Sequence, residues 1–200
     1  MTVPDNTGFL SMPAAALSFV ESGLSALERA LHDRGSDFRN VQIATVSPEG
    51  NPSLRTLVLR GFGRSPACAE MHTDARAGKA RDIAQASRVA LLSWSSADHL
   101  QLRFEGSARL HHGDAVARSR WDTLSSKARD TYGLRAEPGA SIPDPDDRTH
   151  LPPDEQFRQF AVILVSLASV DILRLDPDGA QTRARGQFTP SGLSAHWIAP

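Results

Sequence analysis

Apolar positions along the chain change period several times, and each change marks an element. Between Pro13 and Gly35, Leu17, Val20, Leu24, Leu27 and Leu31 recur at steps of three and four. That spacing predicts a helix with one apolar stripe, opened by Pro13 and stopped at Gly35. From Val41 the period drops to two. "VQIATVS" alternates, "PEGNP" supplies turn chemistry, and "SLRTLVLRGF" resumes the strand, so a hairpin is expected. "CAEMHT" (Cys68–Thr73) is a third strand, and "DARAGKARDIAQA" a short helix turning Ala80, Ile83 and Ala84 inward. "RVALLSWSS" and "HLQLRFEGSARLH" form a second hairpin about Ala97-Asp98. In its second strand Leu100, Leu102, Phe104 and Gly106 share one face, and Gln101, Arg103 and Glu105 the other.

Residues 113–126 have helical spacing. Then "EPGASIPDPDDRTHLPPDE", residues 137–155, carries five prolines and no period, which makes it a functional loop or a mobile arm. "FAVILVSLASVDILRLD" is a long strand, "PDG" turns the chain back into "AQTRARGQF", and "LSAHWIAP" ends it as an edge strand. The expected class is mainly β: six or seven antiparallel strands closed or nearly closed into a barrel, with peripheral helices. The chain divides into an N-terminal segment and helix, residues 1–36, and a barrel domain, residues 37–200. Strand–helix–strand alternation, a GxGxxG loop and a P-loop are all absent.

Composition narrows the function classes. The 200 residues are 40% hydrophobic and 22% charged, with a formal net charge of −1. A broad nucleic-acid or anionic-membrane surface is not expected, so any anion site must be local. One cysteine, Cys68, allows no intramolecular disulfide, and neither a basic–apolar leader nor a spanning segment is seen; a cytoplasmic protein is expected. Histidines 72, 99, 111, 112, 150 and 196 show no HxH or HxxxH spacing, so no metal site is expected.

Four places hold polar groups in awkward positions. Arg55 and Arg60 stand five apart on one strand and so point to opposite faces: either solvated ends or cations meeting an anion. In "HTDARAGK" a strand ends at Thr73 and a helix follows, so free N–H groups, the Thr73 hydroxyl and Lys79 make either an anion corner or a capped helix with solvated cations. Gln101 is either an outward polar position or an amide facing a heteroaromatic edge. Arg183 and Arg185, on one face of a late strand, either receive an anion or guard an exposed edge.

The order of "VQIATVSPEGNPSLRTLVLRGF", "MHTDARAGKARDIAQASRVALLSW" and "HLQLRFEGSARL", with the ending "HWIAP", resembles the pyridoxamine 5′-phosphate oxidase-like FMN-binding split-barrel flavoproteins. The resemblance implies FMN as cofactor. It implies that Arg55 meets the FMN phosphate, that Thr56, Leu57 and Val58 line the cofactor, and that Arg60 stands where the family usually has a substrate-side Lys. His72-Thr73 corresponds to the family's aromatic-Thr pair. The Ser-Arg-Lys phosphate grip corresponds to Ala77-Gly78-Lys79, of which the lysine is kept; Arg76, one turn earlier, is the expected compensation. Gln101 matches a glutamine near the flavin ring. Where the true oxidase has Arg-x-His for substrate, this chain has Arg183-Ala184-Arg185, and Lys127 and Arg129 are the nearest basic groups to the family's substrate-phosphate residues. The substrate-side candidates are therefore Arg60, Arg183 and Arg185.

The resemblance, with these departures from it, implies an FMN-dependent oxidase or reductase acting on a small molecule, rather than a dedicated pyridoxamine 5′-phosphate oxidase. It also implies a homodimer whose subunits share the cofactor site. The competing readings are a non-catalytic flavin- or haem-binding split barrel, and an interaction barrel that has lost its cofactor.

Overall fold

The computed structural model describes residues 12–200. Helix α1 (Met12–Ala30) precedes a 3-10 turn at Asp37–Arg39 and strands β1 (Asn40–Val46), β2 (Pro52–Arg64) and β3 (Ala67–Asp74). Helix α2 (Gly78–Gln85) leads into β4 (Arg88–Ser95) and β5 (Leu100–His112). Helices α3 (Ala115–Asp122) and α4 (Ser126–Asp130), the 137–155 excursion, and strands β6 (Phe160–Leu175), β7 (Gln181–Thr189) and β8 (Gly192–Trp197) complete it. Among the described residues eight strands stand where six or seven are expected.

All neighbouring strands run antiparallel in the order β3-β2-β1-β4-β5-β6-β7-β8, and β3 also pairs with β6. That extra pairing closes six strands into a barrel and leaves β7 and β8 outside it. The opening arises within β6. One edge of this 16-residue strand follows β5 throughout; its other edge serves β3 from Phe160 to Ser166 and β7 from Ser169 to Leu175. The barrel is therefore split, as the resemblance implies. Opposite the handover, β5 carries a register shift between Glu105 and Gly106. A Cβ on Gly106 would lie 2.3 Å from the Ser166 carbonyl oxygen, so only glycine fits there.

Period-two strands bury one face. Ile43, Leu59, Met71, Leu102, Phe104, Ile163 and Ile172 fill the interior. Val20, Leu24 and Leu27 of α1 join that same core against β7 and β8. Each such side chain contributes about 1.5–3 kcal/mol of burial. The helix stops at Ala30 rather than Gly35, since residues 31–36 are turns feeding the 3-10 segment. A second apolar cluster, Trp121 with Ala117, Phe160 and Val162, covers the outside of β3 and β6. The helix expected over 113–126 breaks at residues 123–125, and α4 begins anew, capped by Ser125. The proline-rich excursion is closed at its base by the Leu134–His150 bridge and by Leu151 N–H donating to the Gly133 carbonyl at 2.7 Å. Among the described residues no helix is long and apolar enough to cross a membrane.

Candidate functional site

Alternation along β2 turns Arg55, Leu57 and Leu59 toward the barrel, and Thr56, Val58 and Arg60 outward. Arg55 lies where β1, β2 and α2 meet. Its Nη1 donates to Thr45 Oγ1 at 2.6 Å, and its Nη2 to Ser53 Oγ and, at 3.5 Å, to Asp82 Oδ2. Thr45 donates its own proton to the same Asp82 oxygen at 2.6 Å. Beside this group Lys79 Nζ donates to Thr73 Oγ1 at 3.1 Å. Burial holds the half-buried Lys79 ammonium below its usual pKa, and the Arg55 charge lowers it further; Asp74 and Asp82 pull the other way. Two cations are thus kept close together, and Lys79 has no carboxylate within 4 Å among the described residues. Helix α2 starts beside them, and its N-cap, Ala77, offers no side-chain acceptor. A helix N-terminus, two cations and a threonine hydroxyl are the elements of an anion site. The packing of α2 on β1 and β2 brings Arg55, Thr73 and Lys79 to one corner.

Arg76 is not available to that corner. Its guanidinium holds Asp74 through Nε at 3.0 Å and Nη2 at 2.7 Å, the carbonyls of Leu134 and Arg135 at 2.9 Å each, and Gln159 Oε1 at 2.8 Å. Asp74 and the loop carbonyls use its donors, so the expected compensation for the missing Ser and Arg of the grip does not occur. Arg76 instead pins the base of the 137–155 excursion to the β3–α2 turn.

The other expected residues lie elsewhere. Gln101 faces outward in a groove of about 360 Å³ with Gln42, Leu54, Arg103 and Arg185. Arg183 is bound to Asp171 at 2.7 and 2.9 Å, and Arg185 to Glu105 at 3.2 Å. These arginines do share a face, but each already has a carboxylate. Val58 and Arg60 line a different groove, next to α4. His72 Nε2 meets Glu70 at 3.1 Å, and Arg120 Nε donates to both Glu70 oxygens at 2.9 Å. Burial pushes the Glu70 carboxyl up, but the hydrogen bonds from His72 and Arg120 and their charges outweigh it and hold it below the usual range. Within one chain, then, the expected cofactor residues fall into a corner, an outer groove and two flanking clusters.

Asp82 escaped the sequence reading. Periodicity placed Ala84 inward, yet Ala84 is exposed and Asp82 is 6% exposed. The i, i+3 spacing of Lys79 and Asp82 was the available signal, since it puts both on one helix flank. Thr45 and Ser53 carry no local signal at all. Among the described residues no group of three or more His, Cys, Asp or Glu side chains is placed to hold a metal.

Residues 22–112 match the family model described as pyridoxamine 5′-phosphate oxidase, FMN-binding domain. The resemblance read from the sequence is thereby shown. The match covers Arg55, Thr73, Lys79 and Gln101 alike, and an FMN-binding model supports flavin binding. A pyridoxamine 5′-phosphate oxidase-related, FMN-binding protein from Nostoc punctiforme is similar in structure, with a TM-score of 0.69 and 26% identity over 92% of this chain and 96% of that one. PhzG from Burkholderia lata, solved with tetrahydrophenazine-1-carboxylic acid, shares the fold at a TM-score of 0.69 and 13% identity, over 92% of each chain. General Stress Protein 26 from Bacillus anthracis follows at 0.50 and 14%, over 82% of this chain and 98% of that one. No curated protein matches the chain significantly.

Proposed function

We propose that this protein binds FMN and is an FMN-dependent oxidoreductase for a small-molecule substrate. The observation that carries the reading is the Arg55–Thr73–Lys79 corner: two neighbouring cations, one half-buried and, among the described residues, without a carboxylate partner, beside an uncapped helix start. A phosphate dianion fits that donor set, and bound FMN would supply hydride chemistry at its ring. Arg55, Lys79 and the α2 N–H groups hold the phosphate. Gln101 orients the ring edge through its amide, which both donates and accepts. Thr56 and Val58, on the outer face of β2, line the cofactor.

Arg55 and Gln101 lie on different faces of the strand layer, which favours a site completed by a second copy of the chain. The outer face of β1 and β2 also exposes apolar side chains at Val46, Leu54 and Val58, with Leu54 67% exposed. A homodimer covering this face would join the corner of one subunit to the Gln101 groove of its partner.

The purified protein should show flavin absorbance or take up added FMN. Arg55→Ala with Lys79→Ala should weaken FMN binding more than a hundredfold, from two charge-assisted contacts of about 1.5–3 kcal/mol each. A protein that stays colourless and takes up no FMN sinks the proposal. Light scattering should give a dimer, and Leu54→Arg should give a monomer with weakened FMN affinity; a wild-type monomer that binds FMN tightly contradicts the shared site.

A further inference from the structure

One short turn serves two parts of the molecule. It joins β3 to α2, and its ends are Thr73 and Lys79 of the proposed phosphate corner, which meet through Lys79 Nζ and Thr73 Oγ1 at 3.1 Å. Its middle is tied by Asp74, whose Oδ1 accepts from the Arg76 N–H at 2.8 Å and from Arg76 Nε at 3.0 Å. The rest of the Arg76 guanidinium points away from the corner, to the excursion that follows α4.

That contact closes the excursion at both of its ends. Where the chain enters it, Arg76 Nη1 donates to the Arg135 carbonyl at 2.9 Å, and Nη2 to the carbonyls of Leu134 at 2.9 Å and Ala136 at 3.5 Å. Where the chain leaves it, Nη2 donates to Gln159 Oε1 at 2.8 Å, and the neighbouring Ala75 N–H donates to the Gln159 carbonyl at 2.7 Å. Arg135 N–H also donates to the Thr149 carbonyl at 2.8 Å, but that bond ties the excursion only to itself. Residues 137–150 are exposed throughout, so burial contributes little to holding them and the ties at the base decide their order. A planar guanidinium can serve several carbonyls and a carboxylate at once; an ammonium lacks that fork.

We propose that Arg76 is a positioning residue that couples phosphate binding at the corner to closure of the excursion. A phosphate held by Thr73, Lys79 and the α2 N–H groups bridges the two ends of the turn and fixes the residues between them. The fixed turn presents the Arg76 fork to the loop carbonyls, and a loosened turn releases them. The coupling is reciprocal: whatever order the phosphate gives the excursion, the closed excursion returns as phosphate affinity. Arg76 thus raises cofactor affinity without touching the cofactor. The inference rests on the phosphate assignment proposed above.

Limited trypsin digestion of the full-length protein, read by mass spectrometry, reports closure directly. Cleavage after Arg135 attacks the carbonyl that Arg76 Nη1 holds. Cleavage after Arg109, within β5, requires the barrel to open and serves as the control for global unfolding. Saturating FMN should slow cleavage after Arg135 by about tenfold relative to Arg109, a size usual for coupled sites. Arg76→Gln should bind FMN about five- to tenfold more weakly, and FMN at saturation should leave its relative Arg135 rate within about twofold of the apo rate. Arg76→Lys, which keeps the charge without the fork, should behave like Arg76→Gln. A merely structural Arg76 gives another pattern: both cleavages rise together in the variants, and FMN still protects Arg135. That pattern, or FMN that binds wild type without slowing the Arg135 cut, overturns the coupling and leaves the flavin reading standing. Should the chain take up no FMN, inorganic phosphate replaces it, with chloride at matched ionic strength as control. Protection of wild type but not of Arg76→Gln then sustains the coupling while the flavin reading fails, and protection of neither overturns both.

Discussion

Lys79→Met separates binding from folding at the proposed phosphate corner. In the free protein Lys79 is a half-buried ammonium with one hydroxyl partner, and burial and the Arg55 charge lower its pKa. A folded pKa below the unfolded value of about 10.4 means that charged Lys79 works against folding at neutral pH. The penalty shrinks as pH rises through the folded pKa and is gone above the unfolded one. Met keeps the stem and removes the charge, so the apo variant should melt at or up to about 3 °C above wild type at pH 7. This gain should fade in alkaline buffer. FMN binding should move the other way. Losing one hydrogen bond to a charged group costs about 1.5–3 kcal/mol, or about 10- to 150-fold in Kd. Wild-type FMN affinity should also fall as pH rises through the depressed Lys79 pKa, a limb the variant lacks. Fluorescence titration and calorimetric melting of apo protein read the two effects. An FMN affinity within twofold of wild type, or an apo melting temperature lowered by more than about 5 °C, would refute the reasoning.

Two further substitutions probe the surroundings. Asp82→Asn removes the charge from a buried carboxylate that accepts from Thr45 at 2.6 Å and lies 3.5 Å from Arg55; it should cost about 1–3 kcal/mol of stability in urea denaturation and tighten FMN several-fold, because a carboxylate beside the phosphate is neutralised. FMN affinity falling in step with stability would show that Asp82 serves the site by holding Arg55. Gly106→Ala drives a Cβ into the Ser166 carbonyl and should destabilise by about 1–3 kcal/mol or more; unchanged stability would mean that the β5–β6 register is wrong.

The strands were legible in the sequence because each buries one face, so period two survives in "VQIATVS" and "HLQLRF". Period says nothing about partners. Closure depends on β3 meeting β6 across about ninety residues, from Thr73 to Ala161, and no local pattern records that. The same limit governs the site. Arg55 and Arg60 are one residue type at two ends of one strand, and their spacing predicts opposite faces, which the structure shows. What distinguishes them is remote: Thr45 and Asp82 surround Arg55, whereas a connector after α1 and a helix seventy residues onward surround Arg60. Arg183 and Arg185 show the reverse case. Their spacing correctly put them on one face, but Asp171 and Glu105, on neighbouring strands, use their charge. Asp82 could be buried only because Thr45 and Arg55 satisfy it from 37 and 27 residues away. A helix pattern read alone therefore had to prefer Ala84. Local sequence locates charge; the partners that neutralise it, or leave it for a ligand, come from topology.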